Sequence, residues 1–82
     1  MNRKIKKIEA KHFTLICLFD TNETITYDMT NIVMESGSML LPLRDEVFFK
    51  KVFLESGTPT WPNGYDVCPD TIYKDGKTTS AA

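Results

Sequence analysis

The stretch FTLICLFDTNETITYD, residues 13–28, constrains this chain more than any other part of it. Phe13, Leu15, Cys17 and Phe19 fall two apart, which is the side-chain period of a strand, and Ile16 and Leu18 occupy the opposite face. Apolar groups on both faces predict a central strand, covered by helices on one side and by chain or a partner on the other. The polar DTNE at 20–23 is turn chemistry, because Asp and Asn bond to their own backbone and tolerate unusual dihedrals. TITYD then alternates Ile25 and Tyr27 with threonines, as a half-buried strand does. The two runs and their turn make a β-hairpin.

The flanking segments are shorter and more irregular. In RKIKKIEA, Ile5 and Ile8 are three apart, which breaks the strand period and predicts a bulge near Lys6 and Lys7. Five of the first eleven residues are basic. An edge strand that uses Lys to discourage foreign pairing accounts for them. A nucleic-acid stripe would want interleaved aromatics for base stacking, and this run has none. Asp28 stands where an N-cap belongs, ahead of a short helix with Met29, Ile32 and Val33 on one face and Gly37 at its end. In MLLPL, Pro42 is expected to hold Leu41 extended. Asp45 caps a second helix, EVFFKK, with Val47 and Phe48 inward. VFLES reads as a strand ended by Ser56-Gly57, and Pro59 and Pro62 confine Thr60-Trp61 to a sheet edge. KDGKTTSAA has no apolar anchor. The expected architecture is α+β: residues 1–75 form one compact domain with a mostly antiparallel sheet of four or five strands and two or three short helices, and residues 76–82 form a disordered tail.

Size and composition narrow the roles. The 82 residues suffice for a single domain, which buries roughly 60–65% of its unfolded surface around a thin core. A net charge of −1 gives the molecule no overall bias toward nucleic acid. No apolar run reaches the roughly 18 residues of a membrane span. The basic start MNRKIKKIEAK lacks the apolar run of a signal peptide, so a cytoplasmic location is expected. Cys17 and Cys68 form neither a CxxC pair nor a zinc spacing, and are expected as two buried, reduced thiols.

No arrangement of residues points to catalysis. His12 is the lone histidine and has no partner at ligand spacing, so it reads as a turn residue. The serines lack a nucleophile elbow and the four glycines form no phosphate loop. Asp66 and Asp70 resemble an acid pair, but Pro69-Asp70 is ordinary first-turn helix chemistry. No catalytic, cofactor-binding or metal-binding residue is assigned.

The oddest run is TWPNGYDVCPDTIY, residues 60–73. Asn63-Gly64 tolerates positive φ, so the chain can reverse there. Pro69 opens a final helical turn whose Ile72 and Tyr73 fold back onto the sheet. Asp66, between turn and helix, is placed to accept backbone N–H bonds. Trp61 reads as core, with a partly exposed binding anchor as the rival reading. Trp61, Pro62, Asn63, Gly64, Asp66 and Tyr73 are the candidate motif or partner-binding residues.

The order of these segments, through YDMTNI and LLPLRDEVFFKKVFLESGTPTWPNGYDVCPDTIY, resembles the bacterial family catalogued as domain of unknown function 2442. The resemblance rests on Trp61, Pro62, Asn63, Gly64, Asp66, Asp70 and Tyr73 and covers about residues 4–73; Ile72 stands where the family often has Leu. It implies a compact α+β fold with no established activity and no catalytic residues to carry over. Such proteins stand alone or are fused to a helix-turn-helix domain, and often accompany another small protein in an arrangement similar to a toxin–antitoxin pair. A helix-turn-helix module is not expected within these 82 residues. The expectation is therefore a cytoplasmic protein-interaction module with a protein partner, antitoxin-like within a two-gene pair. The alternative is a nucleic-acid-binding regulator using the Lys-rich first strand, and an enzyme using Asp66 and Asp70 ranks third.

Overall fold

In the computed structural model, which describes residues 3–78, strand β2 (Thr14–Phe19) lies between β1 (Ile5–Lys11) and β3 (Thr24–Asp28) in an antiparallel sheet. Cys17 stands opposite Ile8 on one neighbour and Ile25 on the other, so these three share a face. That face is the core: Leu15, Cys17 and Phe19 are fully buried. The hairpin turn closes with Phe19 N–H donating to Glu23 O at 2.9 Å, and Asn22 takes the left-handed conformation at φ 71°. The β1–β2 register shifts between Ile5 and Lys7, the bulge that the isoleucine spacing predicts.

The first hairpin turns on His12 and Phe13, both at positive φ (50° and 60°), a conformation that usually asks for Asn or Gly. Phe13 therefore leaves the strand face expected for it. Its ring meets Phe49 edge-on at 5.4 Å, and its carbonyl accepts from Met29 N–H at 2.8 Å. Those contacts offset the strain of placing a bulky residue in this region. The second face of β2 is not covered by this chain. Ile16 and Leu18 are only half-buried and line a shallow depression of about 310 Å³ with Lys7, Glu9 and Thr24.

Beyond β3 the chain folds in single turns. Asp28 does cap, but it caps a turn: its Oδ1 accepts from Thr30 N–H and Thr30 Oγ1. The expected helix shrinks to a 3-10 turn at Ile32–Met34 that buries Val33. Leu41 is helical (φ −55°, ψ −47°) rather than extended, and Pro42 opens a second 3-10 turn, Pro42–Arg44. Burial of Leu40 and Leu43 offsets the steric cost of a helical residue before proline.

Helix α1 (Glu46–Phe49) starts as predicted, with Asp45 Oδ1 accepting from Val47 N–H at 3.0 Å. Its inward face is different. Val47 is 68% exposed, Phe48 is half-buried, and Phe49 enters the core. One turn of helix has no repeat from which to read a face, so the contact with Trp61 decides it. Strands β4 (Phe53–Glu55) and β5 (Thr58–Thr60) form a separate two-stranded ribbon, tied to the main sheet by Ile5 N–H donating to Gly57 O.

Helix α2 (Pro69–Asp75) sends Ile72 into the same core as Phe49, so both helices serve one face of the sheet. A sixth strand, β6 (Lys77–Thr78), then pairs with Ile25 and Thr26 of β3. Residues 76–78 therefore belong to the fold rather than to a disordered tail; residues 79–82 lie outside the described region. Gly76 permits the closure, since a Cβ there would lie 2.7 Å from Thr26 O. The fold is α+β: a four-stranded antiparallel sheet in the order β1-β2-β3-β6, a two-stranded ribbon, two helices and two 3-10 turns. Among the described residues, no helix is long and apolar enough to cross a membrane.

Candidate functional site

The run at 60–73 is built around Trp61. Trp61 leaves β5 and turns inward, 1% exposed, against Phe49 (ring centroids 5.5 Å apart) and Tyr65 (5.8 Å). Its indole N–H donates to Phe49 O at 2.9 Å, so the buried polar atom is satisfied. The rival reading of Trp61 as an exposed anchor is thereby corrected. Its side chain is core, because a ring this large in so small a domain is needed to fill the interior.

The turn beside it is tight. Gly64 N–H donates to Trp61 O and Trp61 N–H to Tyr65 O, both at 2.9 Å, with Gly64 at φ 92°. Asn63 works on both sides: Oδ1 accepts from Tyr65 N–H at 3.2 Å and Nδ2 donates to Met39 O at 2.9 Å. The second bond docks the 37–41 turn onto the corner. Pro62 and Gly64 face solvent. Asp66 bridges Thr60 through its backbone. Its exposed carboxylate holds no hydrogen bond among the described residues, so the expected cap is absent.

Asp70 does not pair with Asp66. It meets Arg3 at 3.8 Å, and the Arg3 guanidinium lies 4.0 Å over the Tyr73 ring. Tyr73 itself packs edge-on against Phe19 at 5.4 Å and donates its O–H to Glu23 Oε1. Thus Tyr73 closes helix α2 onto the β2–β3 turn. The bonds from Tyr73 and Thr21 hold the Glu23 carboxyl below its ordinary range, and the Glu23 acceptor raises the Tyr73 hydroxyl above its own.

Those two directions set a pH window. A depressed carboxylate contributes stability above its unfolded pKa of about 4.3 and loses it as pH falls through the folded value. A raised phenol contributes below its unfolded pKa of about 10 and loses it as pH rises through the folded value. Melting temperatures of the wild type and Tyr73→Phe should therefore differ most between about pH 5 and pH 10, and converge at both extremes. A pH-independent difference would mean that the bond does not govern either titration.

Exposed apolar side chains gather in the segment that Asn63 docks. Met34 is 66%, Met39 43% and Leu41 54% exposed. Arg44 pins the same segment from behind, donating from Nε to Val33 O at 2.7 Å and from its terminal nitrogen to Glu35 O at 3.3 Å. Sequence reasoning missed Met39, Leu41 and Arg44 as members of this site. The one signal was the apolar MLLPL, which reads equally well as a buried connector.

The two cysteines part company. Cys17 is buried in β2, where desolvation pushes its thiol up to about 12; Cys68 is exposed ahead of α2, so only one of the two expected buried thiols is buried. A thiol reagent on the native protein should label Cys68 within minutes and Cys17 only after denaturant is added. Two equally fast thiols would contradict the burial of Cys17.

Around the lysine-rich strand, Lys6 donates to Asn22 Oδ1 at 2.8 Å, while Lys7 and Lys11 project from the outer sheet face. A second depression, about 250 Å³, lies between Arg3, Lys4, Ser56, Thr58, Cys68 and Asp70. His12 sits 3.2 Å from Glu46 on the surface. Among the described residues, no group of three or more His, Cys, Asp or Glu side chains is placed to hold a metal. Protein-family models, curated proteins and solved structures were compared with the chain, and none matches it.

Proposed function

We propose that this chain is a cytoplasmic protein-interaction module, antitoxin-like within a two-gene pair, and that it binds its protein partner through the 34–41 segment and the adjoining Pro62–Gly64 turn. One observation carries the reading. Met34, Met39 and Leu41 face solvent on a backbone clamped by Asn63 on one side and Arg44 on the other. Flexible apolar side chains can adapt to a partner, and a backbone fixed beforehand adds no ordering cost of its own on binding. Two unpaired thiols, one of them exposed, suit a reducing compartment. The resemblance to domain of unknown function 2442 supplies the two-gene setting, and Pro62, Asn63 and Gly64 of its motif border the proposed surface.

The test is comparative affinity capture from the native host, using the wild type and Met39→Glu/Leu41→Glu, followed by titration of any purified partner. The reading expects a neighbouring-gene product that the wild type retains and the variant loses, with unchanged melting of the variant. Identical captured sets from both proteins would rule this surface out. The nucleic-acid alternative makes a separate demand, binding to DNA or RNA that falls steeply with salt.

A further inference from the structure

The outer face of the main sheet is self-complementary, and we infer that two copies of this chain pack it face to face as a weak symmetric dimer. This surface is distinct from the corner and does not depend on it. Ile16 and Leu18 project from the middle strand away from the core, remain half-exposed, and floor the 310 Å³ depression. An aliphatic pair at the centre of an open sheet face is the kind of surface that a second layer covers.

The strand registers say what the second layer is. Outward side chains line up in rows across the sheet. One row runs Lys11, Thr14, Asp28; the next runs Glu9, Ile16, Thr26, Lys77; the third runs Lys7, Leu18, Thr24. The charged ends of the first two rows are opposite in sign. A two-fold axis along β2, midway between two stacked sheets, keeps each row at its own height and exchanges its left and right ends. Lys11 then faces Asp28 of the other copy and Glu9 approaches Lys77 of the other copy, while Ile16 and Leu18 meet their own counterparts in the middle. Lys7 faces a threonine row-end and meets no like charge. Sheets stacked this way lie about 10 Å apart, which such side chains can fill. An apolar centre with a charged rim is the ordinary anatomy of a specific interface.

The face offers about ten side chains, fewer than the roughly 20–30 a side of a standard interface, so the dimer is weak, with a Kd on the order of tens of micromolar. The rim pairs also make it salt-sensitive.

Sedimentation equilibrium over a concentration series to about 0.5 mM, at low and high salt, reads this directly. The wild type should dimerise, less so at high salt. Ile16→Glu, which places carboxylates against each other on the axis, should be monomeric and as stable as the wild type. Glu9→Lys and Lys77→Glu should each weaken the dimer roughly tenfold, because each change turns two rim attractions into repulsions. Within one chain these residues lie three strand spacings apart, roughly 14 Å, and do not meet. The doubly reversed chain should therefore recover the dimer, and a mixture of the two single variants should form heterodimers. A wild type that stays monomeric throughout the series overturns the inference. So does an Ile16→Glu protein that still associates, or a double reversal that restores nothing.

Discussion

Trp61→Ala will lower the unfolding free energy by about 3–5 kcal/mol, the range for deleting a large aromatic from a core. The ring is 1% exposed, stacks at tilted angles on Phe49 and Tyr65, and satisfies Phe49 O through its indole nitrogen. Removing it leaves a cavity between α1 and the corner and takes from Phe49 O the shorter of its two hydrogen bonds, leaving only Val52 N–H at 3.4 Å. A small domain holds roughly 5–15 kcal/mol in total, so the variant will be close to unfolding at physiological temperature. Urea denaturation measures it, with the midpoint falling and the slope kept. A wild-type midpoint would place Trp61 outside the core. Trp61→Phe should recover much of the loss but not the hydrogen bond.

The second large effect belongs to Phe49. Phe49→Ala should cost about 3–5 kcal/mol, whereas Val47→Ala, on the solvent side of the same turn, should stay within about 0.5 kcal/mol. Phe49 is fully buried and touches both Phe13 and Trp61, so it joins the strained first hairpin to the corner. Because Phe49 and Trp61 are in contact, the double variant should lose less than the sum of the two single losses, by at least about 0.5 kcal/mol. Equal losses at 47 and 49 would mean that α1 presents a different face. Strict additivity would mean that the two rings act independently.

Those residues also mark where sequence reading works. The alternation of residues 13–19 and 24–28 has enough repeats to set a period, and the hairpin follows from it. The bulge near Lys6 and Lys7 was legible for the same reason, as an interruption in that period. The Asn63-Gly64 reversal and the Asp45 cap rest on local backbone chemistry, which acts over a few residues and needs no tertiary partner. The motif residues stood out as a cluster, and three of them shape the corner: Trp61, Asn63 and Gly64; Tyr73 instead closes α2 onto the β2–β3 turn. The exposed Met39 and Leu41 beside it did not, because an apolar side chain carries no sign of whether the fold will cover it.

What the sequence determined by itself, then, was the α+β class, the central hairpin and its turn chemistry, since each depends on contacts between near neighbours. Only the tertiary structure decided which aromatic of α1 faces in, that Leu41 turns helical before Pro42, and that Phe13 leaves its strand at positive φ. It also decided that residues 77 and 78 pair with the sheet and that the chain itself leaves one face of β2 half-exposed. Contacts with residues distant in the chain settle the clearest of these: Phe49 packs on Trp61, Phe13 on Phe49, and the last strand pairs with Ile25 and Thr26 where Gly76 fits under Thr26. Local preferences near these positions amount to about 1–3 kcal/mol, and a buried aromatic in a close-packed core outweighs them.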